Sequence, residues 1–315
     1  MTAGRCWRRP RALIRRTARR IRRRFFSPRL ARLEHHPPRE LRVPKRYGRP
    51  LHLEDPPRIS IVTPSYNLAG FLDRAIRSVL NQRYPELEYI VQDGGSTDGT
   101  DEVLARYDGE LHRWEMRPDR GQANAINLGF AHARGEIMAY LNADDLILPG
   151  ALAYVARYFE RHPDVDVVYG HRVLIDDNDM EIGRWVMPQH DDDVLSWVDY
   201  VPQETLYWRR RVWAASGGGM DEDAQYALDW DLLLRFRDAG ARIVRVPRFL
   251  GAFRVHPDQK TLADAETTGK SEVDRIRLRE HGRTVSRQEM RRALRGYLWR
   301  HIALQKLYRA HLLRY

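Results

Sequence analysis

Between residues 58 and 162 two rhythms alternate along the chain. Short apolar runs, "RISIVTP" (58–64), "LEYIVQD" (87–93), "LHRWEM" (111–116) and "EIMAYLN" (136–142), have the length and composition of buried strands. Between them, "FLDRAIRSVLNQ" (71–82) sets Phe71, Ala75, Ile76, Val79 and Leu80 on one helical face. "DEVLARY" (101–107), "ANAINLGFAHA" (123–133) and "ALAYVARYFERH" (151–162) read as further helices. This alternation predicts an α/β fold with a doubly wound, mostly parallel sheet flanked by helices. The prolines of "HHPPRELRVPKRYGRP" and "EDPPR" predict a linker before the first strand. Three regions are therefore expected: a basic arm and linker over 1–57, the folded domain over 58–262 and a helical extension over 263–315.

In such sheets ligands sit beyond the carboxyl ends of the strands. The polar clusters fall at those ends: "PSYN" after the first strand, Asp93 after the second, "RPDRGQ" after the third and "NADD" after the fourth. Four polar loops at one edge predict a pocket. Neither GxGxxG after the first strand nor GxxxxGK[ST] is present, so two common phosphate cradles are absent. The adjacent Asp144 and Asp145 then admit two readings. One is a Mg²⁺ or Mn²⁺ site, because hard cations take carboxylate oxygens and share substrate phosphates. The other is a cap for the helix that begins near residue 151.

The motifs "IVTPSYN", "VQDGGSTDGT", "GQANAINLGF", "GEIMAYLNADD" and "DWDLLLR", in this order over about 58–260, resemble glycosyltransferase family 2. The resemblance implies a GT-A fold, a nucleotide-activated sugar donor, a divalent cation (Mg²⁺ or Mn²⁺) and inversion at the anomeric carbon. It places Pro64, Tyr66 and Asn67 around the nucleobase and ribose, with Asp93 accepting a hydrogen bond from the base. Gly121, Asn127 and Asp144 fall on the donor side, and Asp145 is the metal-ligand candidate. Two positions depart from the pattern: Asn142 and Gly94 stand where many members have aspartate.

An acceptor hydroxyl needs a general base near neutral pH. "ALDWDLLLRF" (227–236) offers Asp229 and Asp231, which point about 200° apart on a helix, so the two are not expected to face one cleft. Asp231 has Arg235 four residues on; Asp229 has Leu233 there and no such partner. Asp229 is therefore the expected base, and the family's aspartate aligns with it. The three glycines 217–219 permit an unusual loop, and Gln203 and Glu204 are guessed to face the acceptor. Trp208 and Trp213 are expected in the core. The resemblance places His256, in "FRVH", near the metal or diphosphate.

Charge is distributed unevenly. Residues 1–50 hold 18 Lys and Arg against 2 acidic residues, residues 270–315 hold 13 against 4, and the middle holds 23 against 37. An acidic domain thus lies between two basic segments. In the carboxyl segment Leu294, Tyr297, Leu298, Ile302, Leu304, Tyr308 and Leu312 fall within roughly 160° of helical arc. Three readings follow: contact with an anionic membrane surface, a helix packed on its own domain, or nucleic acid as the less favoured partner. No apolar run approaches the about 18 residues of a membrane span, and "RRRFF" is followed by no hydrophobic signal core, so export is not expected. The lone Cys6 excludes an intramolecular disulfide. The expectation is a cytoplasmic glycosyltransferase, peripheral at the inner membrane face. It would move a sugar, on family grounds from UDP, to a glycan or lipid-linked hydroxyl. The rival readings are a nucleotide-sugar-binding protein without catalysis and a basic interaction protein.

Overall fold

The computed structural model describes residues 30, 32–49, 51, 53–257, 259 and 268–315. Most of the basic amino arm, with Trp7, Ile21 and Phe25, lies outside the described residues.

The expected α/β layer is present. Strands β1 (Ile59–Ser65), β2 (Leu87–Asp93), β3 (Arg113–Met116) and β4 (Ile137–Tyr140) lie parallel in the order β3-β2-β1-β4. Helices α1 (Ala69–Leu80), α2 (Thr100–Ala105) and α3 (Gln122–Ala131) make the crossovers. Both faces are covered, which is why these strands read as continuous apolar runs. Alternate side chains serve opposite layers: Ile59, Ile61, Ile137 and Ala139 pack with Ile76 of α1, whereas Val62, Met138 and Tyr140 pack with Ile126 of α3. The α3–β1 contact is close enough that a Cβ on Gly129 would come within 2.5 Å of Val62 Cγ1.

After β4 come β5 (Leu146–Ile147) and α4 (Ala151–Arg161), and the sheet becomes mixed. It continues through β6 (Val167–Ile175), the hairpin strand β7 (Glu181–Trp185), a short α5 (Asp192–Leu195), β8 (Tyr207–Arg209), α6 (Arg210–Ala215), α7 (Leu228–Asp238) and β9 (Ile243–Arg254). Strand β8 runs antiparallel to β4, and β6 and β9 run parallel to each other beyond it. This reversal decides the site: the residues before β8 and those after β9 both arrive at the edge where β1, β2 and β4 end. Trp208 and Trp213 are buried among α3, α6 and α7, as expected.

The flanking regions are docked. His35 and His36 donate backbone N–H bonds to Ile182 O, and Arg39 bridges Glu181 on β7. Tyr47 is buried, with Arg248 at 3.9 Å over its ring and its hydroxyl accepting from Phe249 N at 3.0 Å. Helices α8 (Thr268–His281), α9 (Arg287–Ala293) and α10 (Arg295–Arg309) follow. Ile276 and Tyr297 join the cluster of Trp208 and Trp230. Packing from these flanking residues thus reaches into the core of the α/β layer, and residues 35–39 lie along β7.

Candidate active site

Asp93 ends β2, fully buried, and its carboxylate organises the loop that follows. Oδ1 accepts from Gly95 N (3.0 Å) and Ser96 N (2.8 Å), and Oδ2 from Ser96 Oγ (2.7 Å). Ser96 Oγ in turn accepts from Asn67 N at 2.7 Å, and Asn67 Oδ1 accepts from Thr97 N at 3.0 Å. Asn67 holds a left-handed φ of 50°, a conformation asparagine tolerates better than most residues. The loops after β1 and β2 are thus one hydrogen-bonded unit. Pro64 is buried in β1 beneath it, and Tyr66 stands 62 % exposed above it. Gly94 accounts for one departure from the family pattern: a Cβ there would meet Asp119 Oδ2 at 3.0 Å and the Tyr66 ring at 3.2 Å. Asp119 Oδ1 accepts from Gly121 N at 2.7 Å, fixing the start of α3.

Asp144 and Asp145 follow β4. Asp145 is buried; its Oδ1 accepts from Arg254 N at 2.9 Å, and its Oδ2 has no partner. Burial, then the charges of Asp144 and Glu204, push its carboxyl well above the usual range. Asp144 Oδ2 lies 3.1 Å from His256 Nε2, whose ring packs against Phe71. Arg254 also donates Nε–H to Asp144 O at 2.7 Å and pairs with Asp179 at 2.5 Å. The cap reading fails here, because neither aspartate bonds an N–H at the start of α4, whose N-cap is Gly150. An unsatisfied, buried carboxylate oxygen beside a second carboxylate and an imidazole fits a hard cation. Among the described residues no group of three or more His, Cys, Asp and Glu forms a cage, so a cation would draw remaining ligands from water and substrate.

The other side of this edge is built by the reversed strands. Gln203 Nε2 donates to Tyr140 O at 2.7 Å and its Oε1 accepts from Asn142 Nδ2 at 3.2 Å; Asn142 Oδ1 accepts from Gln122 Nε2 at 2.8 Å. Asn142 therefore serves as a relay between α3 and the strand-β8 approach. Glu204 does not face an acceptor as guessed; it is buried against Arg172 of β6.

Asp229 lies in the first turn of α7, half-buried, and accepts from Trp230 N at 2.9 Å. Burial raises its carboxyl above the ordinary value; that backbone N–H and Arg172 pull it back, while Glu204 pushes it further. Asp231 is held by Arg235 (2.8 Å), the partner expected four residues on, and also by Arg279 (2.6 Å). Asp199, absent from the expected set, joins Asp229. It reaches solvent, yet protein surrounds it closely enough that desolvation, and then the charge of Asp229, raise it well above the usual range. Burial, and then the charges of Asp229, Asp199, Asp145 and Glu204, raise the buried Tyr140 phenol at the end of β4, so these four carboxylates lie around the end of that strand. "WVDYVP" carries no signature that could have flagged Asp199; only the fold brings it there.

Asn127 is occupied elsewhere. Its amide donates to Met220 O and Glu222 Oε1 (3.0 Å each) and accepts from Met220 N (2.7 Å), holding the segment after the 217–219 glycines. Glu222 also accepts from Asn124 and pairs with Arg120; the bonds from Asn124, Asn127 and Arg120 lower its carboxyl to about 2.

The chain compares directly with known proteins. The model of glycosyl transferase family 2 matches residues 60–212. A glycosyltransferase of Nostoc sp. is 37 % identical over 174 residues, covering 49 % of this chain and 52 % of that one. The chondroitin synthase of Pasteurella multocida is 26 % identical over 73 % of this chain and 24 % of its own length. The chain thus spans about half of the first relative and a quarter of the second. Among solved structures, S. aureus TarS 1–349 in complex with UDP-GlcNAc superposes with a TM-score of 0.59 at 18 % identity, over 78 % of this chain and 73 % of that one. The mannosyltransferase PcManGT of Pyrobaculum calidifontis, in complex with GDP-Man and Mn²⁺, gives 0.57 at 20 % identity, over 82 % and 74 %. The fold is thus of the GT-A type. A glycosyltransferase of Mycobacterium tuberculosis is 30 % identical over 57 % of this chain and 68 % of its own length, and the chain belongs to glycosyltransferase family 2.

Proposed function

We propose that this protein is an inverting, metal-dependent glycosyltransferase that moves a sugar from a nucleoside-diphosphate donor, UDP-linked in the first instance, to a hydroxyl of a glycan or lipid-linked acceptor. The observation that carries it is the placing, around the end of β4, of a partly open carboxylate of raised affinity for protons (Asp229) and a buried carboxylate oxygen lacking a partner (Asp145 Oδ2). Asp229 accepts the proton of the acceptor hydroxyl as that oxygen attacks the anomeric carbon. The bond from that carbon to the diphosphate oxygen breaks, its electron pair leaves with the nucleotide, and the configuration inverts. Asp145, with Asp144 and His256 beside it, would hold Mg²⁺ or Mn²⁺, which supplies Lewis-acid stabilisation of the leaving diphosphate. The joined loops bearing Pro64, Tyr66, Asn67 and Asp93 would receive the nucleoside, and Gly121 the donor side of α3. The UDP-GlcNAc and GDP-Man bound by the structural neighbours and the polysaccharide synthases among the relatives support this reading.

Calorimetric titration with UDP, dTDP and GDP, each with and without Mn²⁺ and repeated on Asp145→Ala, tests it. Manganese-dependent binding of one nucleotide, lost in the variant, is expected. No binding of any nucleotide would sink the proposal.

A further inference from the structure

Helix α7, which carries Asp229 in its first turn, has no cap of its own. Its N-cap is Ala227, whose side chain accepts nothing, and the N–H groups at a helix start need acceptors. Glu272 of α8 supplies them. Its carboxylate is buried, with Oε1 accepting from Gln225 N (2.8 Å) and Oε2 from Tyr226 N (2.9 Å) and Ala227 N (3.0 Å). Burial pushes the Glu272 carboxyl up, but the bonds from Ala227, Gln225 and Tyr226 outweigh it and hold the group below its ordinary value. The fit is close, since a Cβ on Gly269 would come within 2.9 Å of the Tyr226 ring.

The same helix reaches the segment that leads to Asp199. Arg277 Nε donates to Trp197 O (3.0 Å), His281 Nε2 lies 3.0 Å from Ser196 O, and the ring centroids of Trp197 and His281 are 4.0 Å apart. Asp199 is two residues further on. Between these holds, Ile276 packs in the cluster of Trp230, whose Nε1 donates to Leu195 O at 2.7 Å, and Arg279 pairs with Asp231. Residues 196–202 and 216–227 form neither helix nor strand, so bonds from neighbouring elements set their path. Helices α7 and α8 both lie beyond the residues matched by the family, 60–212.

We propose that α8 is a positioning clamp for the two carboxylates, with Glu272 the positioning residue for Asp229, and Arg277 and His281 those for Asp199. Glu272 acts through the backbone of residues 225–227 and not on substrate. A base works only within hydrogen-bond reach of the proton it takes, so the backbone that carries it has to be held in place. The clamp is a matter of packing; that it serves proton transfer from the acceptor rests on the function proposed above.

The full chain and the variants Glu272→Gln and Arg277→Ala provide the test. Amide exchange followed by mass spectrometry should accelerate at residues 225–229 in Glu272→Gln and at 196–199 in Arg277→Ala, with β1, β2 and β4 protected as in the wild type. Release of UDP from UDP-GlcNAc with Mn²⁺, water standing in for the acceptor, reads the base. In Glu272→Gln its kcat should fall by about tenfold or more at unchanged KM, since a displacement of about 1 Å can cost about 10²-fold. Calorimetric affinity for UDP should not move. A merely structural Glu272 would lower kcat, nucleotide affinity and strand protection together, and that result overturns the proposal. Wild-type exchange in both variants, or wild-type kcat in Glu272→Gln, overturns it too. Where the wild type releases no UDP, exchange alone decides the clamp, and nucleotide titration decides the function proposed above. Should Glu272→Gln not fold, exchange at 196–199 in Arg277→Ala carries the decision.

Discussion

The Arg172 guanidinium grips both carboxylate oxygens of the buried Glu204 at 2.6–3.1 Å, itself largely buried and close to the rings of Trp185 (4.8 Å) and Phe253 (4.4 Å). The same cation lowers the proton affinity of Asp145, Asp199 and Asp229. Structure and chemistry are thereby joined in one residue. Removing the Glu204 charge strands a buried guanidinium, so Glu204→Gln is expected to destabilise the fold by about 3–5 kcal/mol. Urea denaturation monitored by tryptophan fluorescence reads this directly; an unchanged midpoint would show that the pair is not desolvated as described.

Asp229→Asn keeps the size and the acceptor for Trp230 N but removes the proton acceptor. Turnover should fall by about 10²-fold or more. Donor affinity by calorimetry should stay at the wild-type value, because the base proposed above acts on the acceptor hydroxyl and not on the donor. Loss of both together would move Asp229 out of the role of base.

Burial raises the carboxyls of both Asp199 and Asp229, and the charge of Asp229 raises Asp199 further. The pair should titrate in two steps above the ordinary aspartate value of about 3.9. A carboxyl whose folded pKa is raised favours the fold fully below the unfolded value, and that contribution is lost as pH rises through the folded value. Asp199→Asn should therefore match the wild type in stability below about pH 3.9 and exceed it at neutral pH. Its activity profile should show one acid-side ionisation in place of two. Equal wild-type and variant stability at neutral pH would count against the pairing.

Glu222 works in the opposite sense. Its carboxyl is lowered to about 2 by bonds that tie residues 220–222 to α3, so the tie is complete above the unfolded glutamate value and is lost as pH falls toward about 2. Amide exchange of residues 217–222 should accelerate over that acid window in the wild type. In Glu222→Ala it should be fast throughout, and equal protection in both proteins would remove the tie from the account.

The parallel half of the sheet and its polar edge were legible because β1, β2 and β4 each have an apolar centre, at Ile61 and Val62, Tyr89 to Val91 and Ile137 to Tyr140, with Ser65, Gln92 and Asp93 gathered at the carboxyl ends. The second half was not. Strand β6 includes buried His171 and Arg172, and β9 includes Arg245, Arg248, Pro247 and Arg254, so neither presents an apolar run. Their charges are matched by tertiary partners, such as the Tyr47 and Tyr154 rings flanking Arg248, that no local window contains. Asp229 could be singled out by helical spacing because its rival Asp231 had a partner four residues away. Asp199 depends on a strand reversal. The carboxyl helix shows the limit of periodicity most plainly: the arc identified an apolar face, and an arc alone does not say whether protein or lipid covers it.

The bonds running from Asn67 through Ser96 to Asp93 have a practical consequence for protein engineering. Two loops separated by a whole helix and strand are joined at both backbone and side chain. Any attempt to exchange nucleotide preference by grafting residues 65–68 from a relative will leave Ser96 Oγ and Thr97 N facing an unmatched neighbour. The transplantable unit is the pair of loops, and a library that varies positions 67 and 96 jointly will recover folded variants that one-loop libraries lose.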